Sequence, residues 1–176
     1  MFHPLDFIPA SSRKKIFISL LMLTLVLIGI FGLLDAPLRN PVSPSGIVSF
    51  ELAGTPEKAD AIIQTWDSRA QLFAAFGLGY DYLFLITYGL TLSLGVLMAA
   101  TKQGGKFEKV GAYVGWGVLL AALFDAVENF FLWRILSGVA SSFCPRMAAF
   151  SAIVKFFLLV LGLGYALVGW LWKKKE

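Results

Sequence analysis

Two acids and an amide stand within five residues of an otherwise apolar stretch. Asp125, Glu128 and Asn129 interrupt the run 110–136, which is long enough to cross a bilayer. A charged side chain at membrane depth is costly, so it usually faces other helices or a water-filled cavity. On a helix, Asp125 and Asn129 share one face and Glu128 lies close to it. The spacing therefore predicts that these polar groups point toward neighbouring helices.

Two other apolar runs carry a charge of their own. Asp81 lies in 70–100 and shares a helical face with Tyr88, and Lys155 lies in 148–172. Small residues accompany each charge, which is typical of a face that packs against another helix. At 1.5 Å per residue, all of these charges fall about 10–17 Å from the outer end of their helices. That end is the N-terminal end of the runs 70–100 and 148–172 and the C-terminal end of the run 110–136. We therefore expect three helices to bring them to one level.

The candidate site is this predicted polar cluster. It comprises Asp81, Tyr88, Asp125, Glu128, Asn129 and Lys155. One lysine neutralises only one of three carboxylates, so we expect a protonated carboxyl, a bound cation or a bound water as well. Whether a metal belongs to the cluster stays open at this point.

Three functions fit such a cluster. It can bind a small ligand, a cation, a proton or a lipid headgroup in a polar pocket. It can instead serve only to fix helix packing, as interhelical polar contacts do. As a third option, the acids can hold Mg²⁺ or act as general acid and base on a lipid-linked substrate, although Lys155 opposes a metal. The sequence favours binding over catalysis, and we expect no cofactor.

Composition assigns the chain to the membrane proteins. Of its 176 residues, 58% are hydrophobic and 15% are charged, whereas soluble domains carry about 25% charged residues. The net charge of +4 does not indicate nucleic acid, because most basic residues flank apolar runs. The single cysteine, Cys144, excludes an internal disulfide and is expected to be inert. The single histidine, His3, is expected to be exposed to solvent.

The apolar runs predict an all-α integral membrane protein with a single domain, residues 1–176. Its four transmembrane helices form an antiparallel bundle, with a short amphipathic helix in the first extracytoplasmic loop. The predicted spans are 16–34, 70–100, 110–136 and 148–172. The first is interpreted as a retained span, since no A-x-A-like cleavage site follows it.

Basic residues predict the topology. Nine Lys and Arg, among them Lys173, Lys174 and Lys175, lie near the two termini and in the turn 101–109. Four lie in 35–69 and 137–147. The positive-inside rule therefore predicts that both termini face the cytoplasm, in an inner or plasma membrane. Membrane lipid is the expected partner, and a second copy or another membrane protein is left open.

The segment 35–69 is predicted to be extracytoplasmic. It begins with a Pro- and Ser-rich irregular loop, continues with a loosely extended stretch at 47–52, and then enters a helix at Pro56. An apolar stripe that ends at Trp66 predicts that this helix lies on the bundle mouth or in the interface, with Trp66 in the aromatic belt. Whether the segment is a connector or a lid is left open.

Overall fold

The computed structural model of the chain describes residues 2–172. Within that range every regular element is helical, so the all-α prediction is confirmed. In chain order the elements are α1 (Ala10–Asp35), a 3₁₀ turn (Ala36–Leu38), α2 (Ile47–Glu51), α3 (Pro56–Thr65), α4 (Ser68–Gln103), α5 (Gly105–Leu136) and α6 (Cys144–Leu171). Lys173, Lys174 and Lys175, which the topology prediction used, lie outside the described residues.

Four helices of the described chain, α1, α4, α5 and α6, are long and apolar enough to cross a membrane. Their lengths run from 26 residues in α1 to 36 in α4, or about 39 to 54 Å, which exceeds the roughly 30 Å hydrocarbon layer. The structure therefore supports a multi-pass membrane protein and is compatible with a helical bundle.

The helices extend beyond the apolar runs that predicted them. The turn predicted over 101–109 shrinks, because α4 continues to Gln103 and α5 begins at Gly105. Gly104 and Gly105 both have positive φ, a backbone conformation that residues with a Cβ adopt rarely. Two glycines are thus enough to reverse the chain direction. The polar residues on either side of them are part of α4 and α5.

The chain contains two compact units. The described part of unit 1 comprises residues 2–24, 86–123 and 155–172, and unit 2 comprises residues 25–85 and 124–154. Each unit therefore takes a part of α1, α4, α5 and α6.

Glycines allow the helices of unit 1 to approach each other closely. A Cβ on Gly162 of α6 would lie 2.5 Å from Val118 of α5, and one on Gly111 of α5 would lie 2.5 Å from Ala100 of α4. Real side chains do not tolerate such distances, so only glycine fits at these positions. Gly111 and Gly162 of the small-residue faces are therefore helix contacts, as is common in membrane proteins. Gly77, on the face of Asp81, is not one, since a Cβ there would have no neighbour within 4 Å.

The first residues of the chain also pack into unit 1. His3 is only 8% exposed, so the prediction that it is exposed to solvent is wrong. Leu5 joins Leu94 and Leu97 of α4 in a buried cluster, and the Leu5 amide donates to His3 Nδ1 at 3.2 Å. The burial of this apolar residue holds the segment against the helices, and no sequence pattern in residues 2–9 signals it.

Unit 2 includes a folded segment of residues 36–67, which we call the cap segment. The stretch predicted to be extended begins with helix α2 instead, so that prediction is wrong. The reason is a contact with α1: the Asp35 carboxylate accepts the Ile47 amide at 2.7 Å and Arg39 Nε at 2.7 Å. A carboxylate at a helix N-terminus satisfies an amide that the helix leaves free and favours the helix dipole.

Helix α3 runs over Pro56–Thr65 and begins with the signals that the sequence carries. The Thr55 hydroxyl accepts the Lys58 amide at 3.4 Å, and Pro56 occupies the first turn. Glu57 follows, and its pKa is lowered by hydrogen bonds to its own backbone amide and to the Thr55 hydroxyl. Threonine, proline and glutamate in this order are favoured at helix N-termini.

Trp66 lies in the core of unit 2 rather than in an aromatic belt. It is 3% exposed, and its indole Nε1 donates to the Leu38 carbonyl at 2.9 Å. Its ring meets the Phe50 ring edge-on at 5.4 Å between centroids. The expectation of an interfacial tryptophan is therefore wrong at this position, because the cap segment folds around the indole.

The cap segment and the helices of unit 2 share one hydrophobic core. Leu38, Phe50 and Trp66 of the cap segment belong to the same buried cluster as residues of three long helices. The helix residues are Ala70, Ala74 and Leu78 of α4, Leu132 and Ile135 of α5, and Cys144 and Ala148 of α6. Cys144 is thus a buried core residue, in agreement with its expected inertness.

A substitution at Gly46 tests the role of Asp35 in folding the cap segment. Its φ is +57°, and a Cβ there would overlap the Asp35 carboxyl group. We expect Gly46→Ala to lower the free energy of unfolding by about 3 kcal/mol, through backbone strain and loss of the Asp35 contact. Gly138→Ala is the control, because Gly138 also has positive φ but has open space around it; it should cost about 1 kcal/mol. Equal losses in thermal unfolding in detergent would contradict the role assigned to Asp35.

Candidate functional site

The two units divide the six predicted site residues between them. Unit 2 contains Asp81, Asp125, Glu128 and Asn129, and unit 1 contains Tyr88 and Lys155.

The two acids of α5 lie on its buried face. Asp125 is 3% exposed and Glu128 is 0% exposed. Leu132, one turn further along, is also fully buried, whereas Leu123 and Trp133 on other faces are exposed. Helix α5 thus exposes large apolar side chains and buries its acids. A helix on the surface of a soluble protein does the reverse, since it buries its apolar side chains and exposes its charged ones.

Asn129 connects α5 to α4. Its side-chain amide Nδ2 donates to Asp81 Oδ2 at 2.6 Å, and Asn129 is itself buried. Close by, the Tyr82 hydroxyl of α4 donates to the Ala126 carbonyl of α5 at 3.2 Å. A hydrogen bond to an ionised carboxylate is stronger than one between neutral groups. The structure thus brings Asp81 and Asn129 together, as the common level of the charges suggested.

Lys155 and Tyr88 are buried residues of unit 1. The Lys155 ammonium lies over the ring of Phe156, with Nζ 4.8 Å from the ring centroid. An aromatic face at this distance attracts a cation and offsets part of the cost of burying it. The predicted pairing of Lys155 with the acids stays a prediction.

Ser151 of α6 is a candidate site residue that sequence reasoning missed. The Phe124 and Phe150 rings meet edge-on at 6.2 Å, and Asp125 and Ser151 directly follow them. Ser151 is fully buried, and its Oγ has no hydrogen-bond partner among the described residues. A buried hydroxyl without a partner is costly, so a ligand atom or a water is a natural partner for it. A serine in an apolar helix carries no sequence signal of such a role.

The arrangement of the acids bears on the Mg²⁺ hypothesis, which needs three of them around one ion. Within residues 2–172, no group of three or more His, Cys, Asp or Glu side chains is arranged to hold a metal ion. The hypothesis that three acids together coordinate Mg²⁺ therefore loses its geometric support, since hard cations need several oxygen ligands around one point.

The cap segment has a cavity of its own. An open groove of about 230 Å³ is lined by seven residues of the segment: Val42, Ser49, Leu52, Ala53, Lys58, Ala61 and Ile62. Its lining is mainly apolar and includes none of the four polar residues of unit 2 described above. The groove is thus distinct from the buried acids.

The four long apolar helices indicate a multi-pass α-helical membrane protein. Its long helices also carry buried charged side chains, namely Asp125, Glu128 and Lys155. Comparison with protein-family models, with curated proteins and with solved structures finds no match. The function is therefore argued from the site itself.

The bond between Asp81 and Asn129 can be tested by a double-mutant cycle. We expect Asp81→Ala and Asn129→Ala to show a coupling free energy of about 1 kcal/mol, since interhelical hydrogen bonds in membranes have strengths of this order. The measurement is the unfolding free energy of both single variants and the double variant in detergent. Ser137→Ala is the control partner, because its hydroxyl donates to the Trp133 and Arg134 carbonyls at the end of α5 and to no residue of α4 that the structure describes. Additivity for Asp81 and Asn129 would show that the bond does not hold α4 to α5.

Proposed function

We propose that this membrane protein binds a small positively charged ligand at Asp125 and Glu128. The ligand is an inorganic cation, a proton or the amine of a lipid headgroup, which share the chemistry of positive charge facing a carboxylate. The observation that carries the proposal is the burial of two carboxyl groups, 3% and 0% exposed, on one face of one helix. Intramembrane ionisable groups usually mark such a function.

The electrostatic argument starts from the spacing of the two acids. Side chains three residues apart on a helix are neighbours, with about 5–6 Å between their Cβ atoms. Two carboxylates this close repel each other, and each loses several kcal/mol of solvation free energy on burial. A positive charge or a proton reduces both penalties at once. The buried acids are therefore a place where a cationic ligand gains more than it would at the protein surface.

We extend the proposal to the arrangement in the membrane. The four long helices form an antiparallel bundle, both termini face the cytoplasm of a cell with an inner or plasma membrane, and the cap segment with α3 is extracytoplasmic. The distribution of basic residues supports this orientation. Asp81, Asp125 and Glu128 then lie in the outer half of the membrane, and the ligand reaches them from outside.

Membrane lipid is the partner proposed for the outer faces of the helices. Large apolar side chains such as Leu25, Val26, Leu123, Phe157 and Val160 are exposed along them. An apolar surface of this extent matches acyl chains, which solvate it without cost.

A structural role is the second candidate, and one observation favours it. The Asn129 amide donates to Asp81 and so connects α4 to α5 without any ligand. Polar contacts of this kind hold transmembrane helices together and fix their register. In that case the acids of α5 serve the same purpose.

Charge-neutralising variants separate binding from a structural role. We expect Asp125→Asn and Glu128→Gln to keep the fold and to lose the stabilisation that a bound cation gives to the wild type. The measurement is thermal unfolding in detergent, followed by tryptophan fluorescence, with Na⁺, K⁺, Mg²⁺ and Ca²⁺ chlorides, with phosphatidylethanolamine, and over a pH series.

The matched controls are Asp60→Asn and Glu108→Gln, whose side chains are exposed. Both controls should respond to the ligands as the wild type does. If Asp125→Asn and Glu128→Gln unfold at lower temperature and none of the probes stabilises the wild type, the acids are structural and the binding proposal fails.

The orientation has its own test. We expect a cysteine introduced at the exposed position Leu52, in a Cys144→Ala background, to react with a membrane-impermeant maleimide in intact cells. A cysteine at exposed Lys106 should react only after the membrane is permeabilised. The opposite pattern would reverse the proposed topology.

A further inference from the structure

The His3 side chain fills a closely fitted site in unit 1, formed by Leu5, Gly115 and Trp116, which we call its seat. Its Nδ1 accepts the Leu5 amide at 3.2 Å, and its imidazole faces Gly115 of α5. A Cβ on Gly115 would overlap His3 Nε2, so the imidazole sits where any other residue would place its side chain. Trp116 Nε1 donates to the Phe2 carbonyl at 3.1 Å and holds the chain beside the seat.

These contacts fix the protonation state of the imidazole. Because Nδ1 accepts a hydrogen bond, the neutral ring carries its proton on Nε2. A second proton would have to bind to Nδ1, where it would meet the N–H of Leu5. Protonation therefore breaks the hydrogen bond and places a cation in an apolar seat at the same time.

The surroundings of His3 offer little compensation for that charge. Burial lowers the pKa of His3 to about 4, and the nearby charges, Asp6 and Arg13, act in opposite directions. These two groups pair with each other, with Arg13 Nη2 3.0 Å from Asp6 Oδ1. The residues of α4 and α5 that pack around His3 and its neighbours Phe2 and Leu5 are uncharged. They are Ser93, Leu94, Leu97, Gly115 and Trp116.

Residues 2–9 are held by two buried side chains, by the Trp116 bond to the Phe2 carbonyl, and by three hydrogen bonds from Arg13 to Asp6 and Ile8. His3 and Leu5 point into unit 1, whereas Phe2 and Phe7 are 86% and 79% exposed. A segment with two buried side chains and exposed flanks has a low free energy of local opening. Removing the contribution of His3 therefore leaves Leu5 as the main apolar anchor.

We propose that residues 2–9 form an acid-released segment, which leaves its seat on α4 and α5 when His3 takes up a proton. At neutral pH the uncharged imidazole keeps the Leu5 bond through Nδ1, and its Nε2 has no hydrogen-bond partner among the described residues. As pH falls from 7 to 4, the released state binds the proton that the seated state excludes, so the balance moves toward release by about 100-fold. Release uncovers Gly115 and the apolar surface of Leu94 and Leu97.

The test is hydrogen–deuterium exchange of the full-length protein in detergent, read by mass spectrometry on a peptide that contains Leu5. After correction for the intrinsic pH dependence of exchange, we expect protection of residues 4–9 to fall on the order of 100-fold between pH 7 and pH 4.5. Protection of peptides from the buried part of α4 should stay unchanged, which separates local release from global acid unfolding. Equal protection of residues 4–9 at both pH values would overturn the proposal.

Two variants make the test specific. Gly115→Ala should release the segment already at pH 7, because its Cβ occupies the imidazole seat. Gly117→Ala is the matched control, since a Cβ there would be 3.7 Å from Leu158, an ordinary contact, and it should behave as the wild type. His3→Gln should show no pH response. A wild-type pH response in His3→Gln, or wild-type protection in Gly115→Ala at pH 7, would contradict the proposal.

Discussion

The burial of the two acids of α5 is the constraint that the rest of the structure must meet. Asp125 and Glu128 are removed from water on a helix whose other faces are apolar. Each buried carboxyl group needs hydrogen bonds, a counter-charge or a proton, because the membrane interior supplies none of these. This need places the acid-bearing face of α5 against other helices, and it makes the contact between Asn129 and Asp81 part of the same arrangement.

The cap segment reaches the same helix one turn beyond the acids. Leu132 follows Glu128 by four residues and belongs to the core that contains Phe50 and Trp66. That core depends on the bonds from Asp35 to Ile47 and from Trp66 to Leu38. The cap segment is thus a packed part of unit 2 that shares its core with α5.

Hydrophobic runs and the cost of buried charge were enough to predict the long helices and the buried face of α5. The predicted spans were shorter than the helices, because residues such as Lys102 and Glu108 continue a helix without contributing to the apolar pattern. The features that could not be predicted depend on contacts between distant residues. Ile47 begins a helix because Asp35 bonds its amide, and His3 is buried because Gly115 leaves room for it. Local sequence carries neither contact.

A high-resolution experimental density map around the carboxyl groups of Asp125 and Glu128, obtained in lipid nanodiscs, tests the central claim most directly. The account predicts density for a cation or a headgroup amine within hydrogen-bonding distance of these oxygens, or, for a bound proton, direct contact between an oxygen of Asp125 and an oxygen of Glu128 that share it. Carboxyl oxygens that contact neither a non-protein group nor each other would contradict it, and would leave the buried acids with a purely structural role.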